Sequence, residues 1–292
     1  MKHSFLSPLR YPGGKARVAP YLSSLISAQI TRPSIYAEPY AGGAGAALRL
    51  LIDEQVRFIR LNDFSPGVAA FWRCVFNDTE RFAQAIEKST IDLTNWEQAR
   101  QKFQAPTDYD DFELGFATFF LNRCNRSGIL TARPIGGLEQ TGKWKMDARF
   151  NRTDLANRVR RLGLYRRRVE ISQLDGREFM KTLEPLGQDV FAYVDPPYIV
   201  QGENLYLDSL SSEDHSLLAK HLRDSSNSWM LTYDVSERVT EELYSGLRMA
   251  KFNIAHTAQR QHIGSEIVVF SDNLNVDSIQ LLKGANASWV SA

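Results

Sequence analysis

Residues 190–194 read Val-Phe-Ala-Tyr-Val without a polar interruption, and Asp195, Pro196, Pro197 and Tyr198 follow at once. A run this short and this apolar suits a central strand of a parallel sheet, which is covered on both faces. The prolines end it, because each fixes φ and lacks the N–H that a strand ladder uses. Parallel neighbours require crossover connections, usually helices, so this strand predicts an α/β chain.

Those neighbours are legible. Ile35, Tyr36 and Ala37 suit a short buried strand, Gly42, Gly43 and Gly45 a tight loop, and Ala46 to Ile52 the start of a helix. Residues 56–64 (VRFIRLNDF) read as a second strand ending at Asp63, followed by a helix with Ser65 as N-cap and Pro66 in its first turn. Later, residues 168–180 (RVEISQLDGREFM) alternate as a strand with Asp175 at its end. Ser211 to Leu222 reads as a helix capped by Ser211 or Ser212, and Trp229 to Asp234 as a strand. RMAKFNI and EIVVFSD read as a closing strand pair turning around Ile-Gly-Ser-Glu. The alternation predicts an open, doubly wound α/β sheet.

The chain has 292 residues, 43% hydrophobic and 24% charged, which suits one large domain or a domain with an insert. Residues 77 to 165 break the pattern. They hold a polar helix (TNWEQARQKF), an apolar helix (FELGFATFFLNR) and a loop-rich basic segment, so we read them as an insert between core segments 1–76 and 166–292. The formal charge is +1, so nucleic-acid affinity would have to come from local clusters. Cys74 and Cys124 form no metal-binding spacing, and reduced thiols, a cytoplasmic location and no metal are expected. No apolar stretch reaches membrane-spanning length, and MKHSFLSPLRYPGGK lacks the apolar core of a signal peptide.

In an open parallel sheet, ligands sit beyond the carboxyl ends of the strands, where Asp195 falls. An aspartate oxygen with a proline carbonyl makes a two-acceptor clamp for an NH₂ group, and Tyr198 offers a flat face for a planar base. The group that fits is an exocyclic amine on an aromatic ring. A DPPY match has a chance on the order of 10⁻³ in a chain this long. The loop E-P-Y-A-G-G-A-G lacks the G-x-G-x-x-G spacing, so a dinucleotide is not the first expectation. Asp63 is placed to accept ribose hydroxyls, and Lys15 after two glycines could anchor a carboxylate or phosphate.

With LRYPGGK, AEPYAGGAG, LNDFSPG, FFLNRCNRSGI and DPPY in that order, the chain resembles the Dam-type (D12 class, alpha-group) DNA adenine-N6 methyltransferases over most of its length. The resemblance implies a Rossmann-like class I fold with an inserted target-recognition domain, S-adenosylmethionine (AdoMet) as cofactor and double-stranded DNA as partner. It implies that Tyr11 and Lys15 line the AdoMet site, and that Glu38, Pro39, Gly42 and Gly45 wrap the methionine part. Asp63 would hold the ribose and Asp175 would lie near the cofactor adenine. Asp195, Pro196, Pro197 and Tyr198 would form the catalytic tetrapeptide, with Asp195 also bordering the cofactor. A cognate restriction or defence-system partner is a further implication.

DNA contacts are expected from Arg123, Arg126, Arg133, Lys143 and Lys145 in a target-reading segment, and from Arg160 and Arg161 in an arginine-dense span. Ile129 could act as an apolar wedge where the family has leucine. The family's GATC-reading asparagine and arginine align with Ser127 and Thr131, so that pair is missing here. Three other readings compete: a cytosine-N4 methyltransferase, which more often has serine where Asp195 stands; a catalytically idle DNA-binding relative, disfavoured by the intact motifs; and an RNA methyltransferase.

Overall fold

A computed structural model of the chain describes residues 6–10, 15–199, 210–256, 262–282 and 284–290. Tyr11 lies outside them. The strands are β1 (Ile35–Glu38), β2 (Phe58–Asn62), β3 (Val169–Ser172), β4 (Val190–Val194), β5 (Ser228–Asp234), β6 (Arg248–His256), β7 (His262–Phe270) and β8 (Ala287–Trp289). The helices are α1 (Ala19–Ser27), α2 (Gly45–Ile52), α3 (Pro66–Asn77), α4 (Thr79–Lys88), α5 (Leu93–Gln104), α6 (Asp111–Cys124), α7 (Arg152–Gly163), α8 (Gly176–Leu183) and α9 (Ser212–Asp224). They divide into two compact units, Lys15–Asn62 with Leu174–Ala292, and Met1–Gly14 with Asp63–Gln173.

The first unit is the α/β sheet that the apolar run predicts. Its strands run in the order β2-β1-β4-β5-β7-β6-β8. Strands β2, β1, β4 and β5 are mutually parallel, and β7, β6 and β8 close the sheet antiparallel. Every residue of β4 and β5 is buried, as expected of strands covered on both faces. Val190, Ala192 and Val194 pack with Trp229 and Leu231 against Phe179, Met180 and Leu183 of α8 and Leu218 and Leu222 of α9. The alternate residues point the other way, where Phe191 stacks on Tyr36 at 6.2 Å between ring centroids. The order reverses between β1 and β4, so the crevice at their carboxyl ends is the topological switch point.

Two local expectations need correction. The strand predicted across 168–180 stops at Ser172, and Asp175 instead caps α8 by accepting the Arg177 N–H. Apolar residues at 179, 180 and 183 have helical spacing, which governs the second half of that span. Ile-Gly-Ser-Glu is not a turn. It lies inside β7, where Gly264 pairs with Ile254 and Glu266 with Phe252, and the connection runs through 257–261, outside the described residues. Ser211, by contrast, caps α9 as expected, in a reciprocal capping box with Asp214.

The second unit is mostly helical. α3 and α6 cross closely because of two glycines: a Cβ on Gly67 would stand 2.3 Å from Thr118 Oγ1, and one on Gly115 2.9 Å from the Ala70 backbone. Around that crossing Phe71, Trp72, Phe82, Phe119 and Phe150 form an aromatic core. Cys74 and Cys124 are free, buried thiols. Ser65 holds the N-cap position of α3, but its hydroxyl makes no capping bond. Asp63 turns the chain instead by accepting the Ser65 N–H at 3.0 Å. Among the described residues, no helix is long and apolar enough to cross a membrane.

Candidate active site

The site of the sheet unit is built on adjacent strand ends. The β1–β4 register pairs Ala37 with Ala192, so Glu38 ends β1 beside the strand that delivers Asp195. Glu38 is 5% exposed. Its Oε1 accepts the Tyr36 hydroxyl at 2.9 Å and the Ala47 N–H, in the first turn of α2, at 3.1 Å. Burial pushes its carboxyl up to about 8; the two hydrogen bonds oppose the rise and the Asp195 charge adds to it. Glu38 therefore holds a proton at neutral pH in this state.

Between these elements runs the loop Pro39–Ala44. Gly42 and Ala44 adopt left-handed φ values of 46° and 47°. Gly45 opens α2 so close to Ala16 that a Cβ would lie 2.9 Å from that residue's own Cβ. At the far side of the loop, Tyr40 packs over Gly176, where a Cβ would meet its ring at 2.5 Å, and its buried hydroxyl has no hydrogen-bond partner among the described residues. Neighbouring Asp175 is not open: Arg177 grips both its oxygens at 2.8 Å, holding its carboxyl below the ordinary range.

The strand β4 hands over to Asp195, Pro196, Pro197 and Tyr198. Asp195 Oδ1 accepts the Thr232 hydroxyl at 2.8 Å and faces Lys15 Nζ at 3.3 Å, while 23% of its side chain stays exposed. Tyr193 bonds to the same Thr232 hydroxyl at 2.8 Å. Lys15, in a single 3₁₀ turn before α1, is buried and donates to both oxygens of Glu266, at 3.1 and 2.9 Å, and to the Tyr198 hydroxyl. Tyr198 in turn donates to Glu266 Oε1 at 2.6 Å. Burial works against the Lys15 charge, but Asp195 and Glu266 together outweigh it, and its net shift is upward. Burial and the Glu266 charge lift the Asp195 carboxyl, with Lys15 opposing. Burial, Asp195 and Glu266 keep Tyr198 a neutral phenol.

So the structure brings Lys15, Glu38, Asp195 and Tyr198 into one neighbourhood, and adds Glu266 and Thr232, which the sequence reading did not single out. Thr232 sits on a strand that was recognised, but nothing marked its face. Glu266 was hidden by reading its tetrapeptide as a turn; a lone carboxylate ahead of the apolar run Ile267–Phe270 was the available signal.

The helical unit holds the other named residues. Arg123, at the end of α6, donates to the carbonyls of Pro8 and Arg149. Burial, then Arg10, pull its guanidinium down to about 10. Residues 125–134 form a closed loop through the Asn125–Pro134 bridge. Asn122 donates to the Gly128 carbonyl, and Asn125 to those of Ile129 and Leu130. Ser127 stands at φ 57°, and Arg126, Thr131 and Arg133 are exposed. Lys143 lies 5.9 Å from the ring of exposed Trp144, and Lys145 donates to the Gln140 carbonyl. Arg160 is held by Glu80 and Glu87 of α4 through four contacts of 2.6–3.1 Å, whereas Arg161 is exposed. The arginine-dense span is thus partly neutralised within the unit.

Among solved structures, the chain is similar to a protein from Legionella pneumophila, with 11% identity, coverage of 100% of this chain and 98% of the other, and a TM-score of 0.38. It is also similar to the rRNA methyltransferase AviRa from Streptomyces viridochromogenes, with 14% identity, coverage of 89% and 86%, and a TM-score of 0.40. No curated protein matches it. The family model for D12 class N6 adenine-specific DNA methyltransferases matches residues 11–263, and the chain belongs to that family of methyl-transferring enzymes.

Proposed function

We propose that the protein transfers a methyl group from AdoMet to the N6 amine of adenine in a specific duplex DNA sequence, after the adenine has turned out of the stack. The observation that carries this reading is the pairing, at one strand end, of a part-exposed aspartate acceptor with a fixed tyrosine ring. Adenine N6 is a poor nucleophile because its lone pair is delocalised into the ring. Hydrogen bonds from the amine to Asp195 and the Pro196 carbonyl would favour a pyramidal nitrogen with an available lone pair. Its ring would stack on Tyr198, offsetting part of the stacking lost from the duplex. The lifted Asp195 carboxyl is also suited to take the proton that N6 loses once the new C–N bond forms.

The residues present suit AdoMet. Gly42 turns the loop before α2 at a left-handed φ, and Gly45 lets the start of α2 approach Ala16 closely. Glu38 is a buried acid able to take an ammonium as its counter-ion, and the Tyr40 hydroxyl is buried without a hydrogen-bond partner among the described residues. Lys15, Glu38, Pro39, Gly42 and Gly45 would hold the cofactor, and Asp63, the acidic residue following β2, its ribose. When bound, AdoMet supplies an electrophilic sulfonium methyl.

Residues 77–165 would read the target, through the loop carrying Ser127, Ile129 and Thr131 and through Arg126, Arg133 and Lys143. The test is transfer of labelled methyl from AdoMet to duplex DNA, with modified adenine mapped by sequencing. Label found on cytosine, on RNA only, or nowhere would overturn the proposal.

A further inference from the structure

We infer that Glu266 is a positioning residue for methyl transfer, holding Tyr198 by its hydroxyl and drawing Lys15 away from Asp195; this rests on the methyltransferase reading above. Glu266 is 1% exposed on β7, opposite Asp234 of β5 and Phe252 of β6. A carboxylate so enclosed carries a heavy desolvation cost unless its oxygens are satisfied. They are satisfied by two side chains of the candidate site: Lys15 at 3.1 and 2.9 Å and the Tyr198 hydroxyl at 2.6 Å.

Two consequences follow from these bonds. First, the prolines of the tetrapeptide fix backbone φ but leave the side-chain torsions of Tyr198 free. The bond to Glu266 removes that freedom, so the ring is in place before a base arrives. Second, one ammonium stands between two carboxylates, nearer Glu266 at 2.9 Å than Asp195 at 3.3 Å. Without the Glu266 charge, Lys15 would pair fully with Asp195 and occupy the acceptor that a target amine needs. Thr232 occupies Oδ1 as well, so the other oxygen, Oδ2, is the one we assign to the amine.

The experiment compares wild type with Glu266→Gln, Glu266→Asp, Tyr198→Phe and the double variant Glu266→Gln/Tyr198→Phe. Single-turnover methyl transfer is measured at saturating AdoMet and duplex DNA, together with DNA affinity and thermal stability. Glu266→Gln should slow transfer roughly ten- to a hundredfold, less than the roughly hundred- to thousandfold for loss of a hydrogen bond made to the reacting group itself, because Glu266 acts through Tyr198 and Lys15, with DNA affinity little changed. Glu266→Asp, which keeps the charge, should recover part of the rate. In the double variant the losses should combine to less than the product of the single losses, because both substitutions break the same bond. A readout independent of cofactor is the fluorescence of 2-aminopurine at the target position, quenched by an ordered tyrosine ring and less quenched in Glu266→Gln. A wild-type rate in Glu266→Gln, losses that multiply in the double variant, or losses that vanish once each variant is assayed well below its own unfolding range would overturn the inference. A wild-type protein that methylates no adenine would instead bring down the reading beneath it.

Discussion

Replacing Glu38 by glutamine should change how stability depends on pH. In the folded protein its carboxyl titrates near 8, against its ordinary 4.5. Between those values the folded state keeps a proton that the unfolded chain has lost, so the contribution is fully present below pH 4.5 and is lost as pH rises towards 8. At about 1.36 kcal/mol per pH unit, the window corresponds to on the order of 5 kcal/mol. Glutamine resembles the protonated acid in shape and does not titrate, so its amide oxygen can accept from Tyr36 and Ala47 as Glu38 does. Urea denaturation of both proteins at pH 5, 6, 7 and 8 gives the difference directly. Wild type should lose stability relative to Glu38→Gln across the series, most steeply between about pH 5.5 and 7, with the slope roughly halved by about pH 8. Parallel curves would refute the reasoning, because they would mean that the carboxyl is ionised in the fold at no cost. An ammonium-bearing ligand seated on Glu38 should release this proton, and AdoMet calorimetry in buffers of different ionisation enthalpy would register it.

Asp195→Ala should cut single-turnover methyl transfer at least about a hundredfold while DNA binding survives; near wild-type turnover would remove the tetrapeptide from the mechanism. Tyr198→Ala should cost about 1–3 kcal/mol of base stacking, seen as slower transfer, and Tyr198→Phe should be milder because a phenyl ring still stacks. Asp63→Ala should weaken AdoMet binding by calorimetry, and unchanged affinity would dismiss the ribose assignment. With Ser127 and Thr131 in place of the family's GATC-reading pair, DNA modified by this protein should stay open to a nuclease blocked by GATC methylation; full protection would contradict this. Arg161→Ala should lower the salt slope of DNA binding by up to about one unit, whereas Arg160→Ala, which releases Glu80 and Glu87, should show chiefly as a lower unfolding temperature.

What was legible in the sequence was what short-range pattern controls. The β4 run needs no context, since five apolar residues stopped by Asp-Pro-Pro can be little else than a buried strand end. Ser211 announces α9 because its cap lies within three residues of its partner Asp214. The failures share a different cause. Gly264 and Ser265 carry turn-forming side chains, but nine residues of β6 pair with β7 and override them. Glu266 enters the site through Lys15 and Tyr198, 251 and 68 residues away, and Thr232 through Asp195, 37 residues away, relations no local pattern encodes. Arg160 looked like a phosphate contact because its chain neighbours are basic, while its neutralising carboxylates sit on another helix.

The loop at 125–134 has a consequence for how such a protein can diverge. Its shape is held from beneath, by Asn122 and Asn125 gripping the carbonyls of Gly128, Ile129 and Leu130. Carbonyls are common to all residues, so the identities of the side chains at 129, 130 and 131 are not what keeps the loop closed. A lineage could exchange those side chains one at a time, trying new contacts on an unchanged platform, with little risk to folding at each step. The two asparagines would then mark the fixed point of the family's variation, and the three residues above them its moving part.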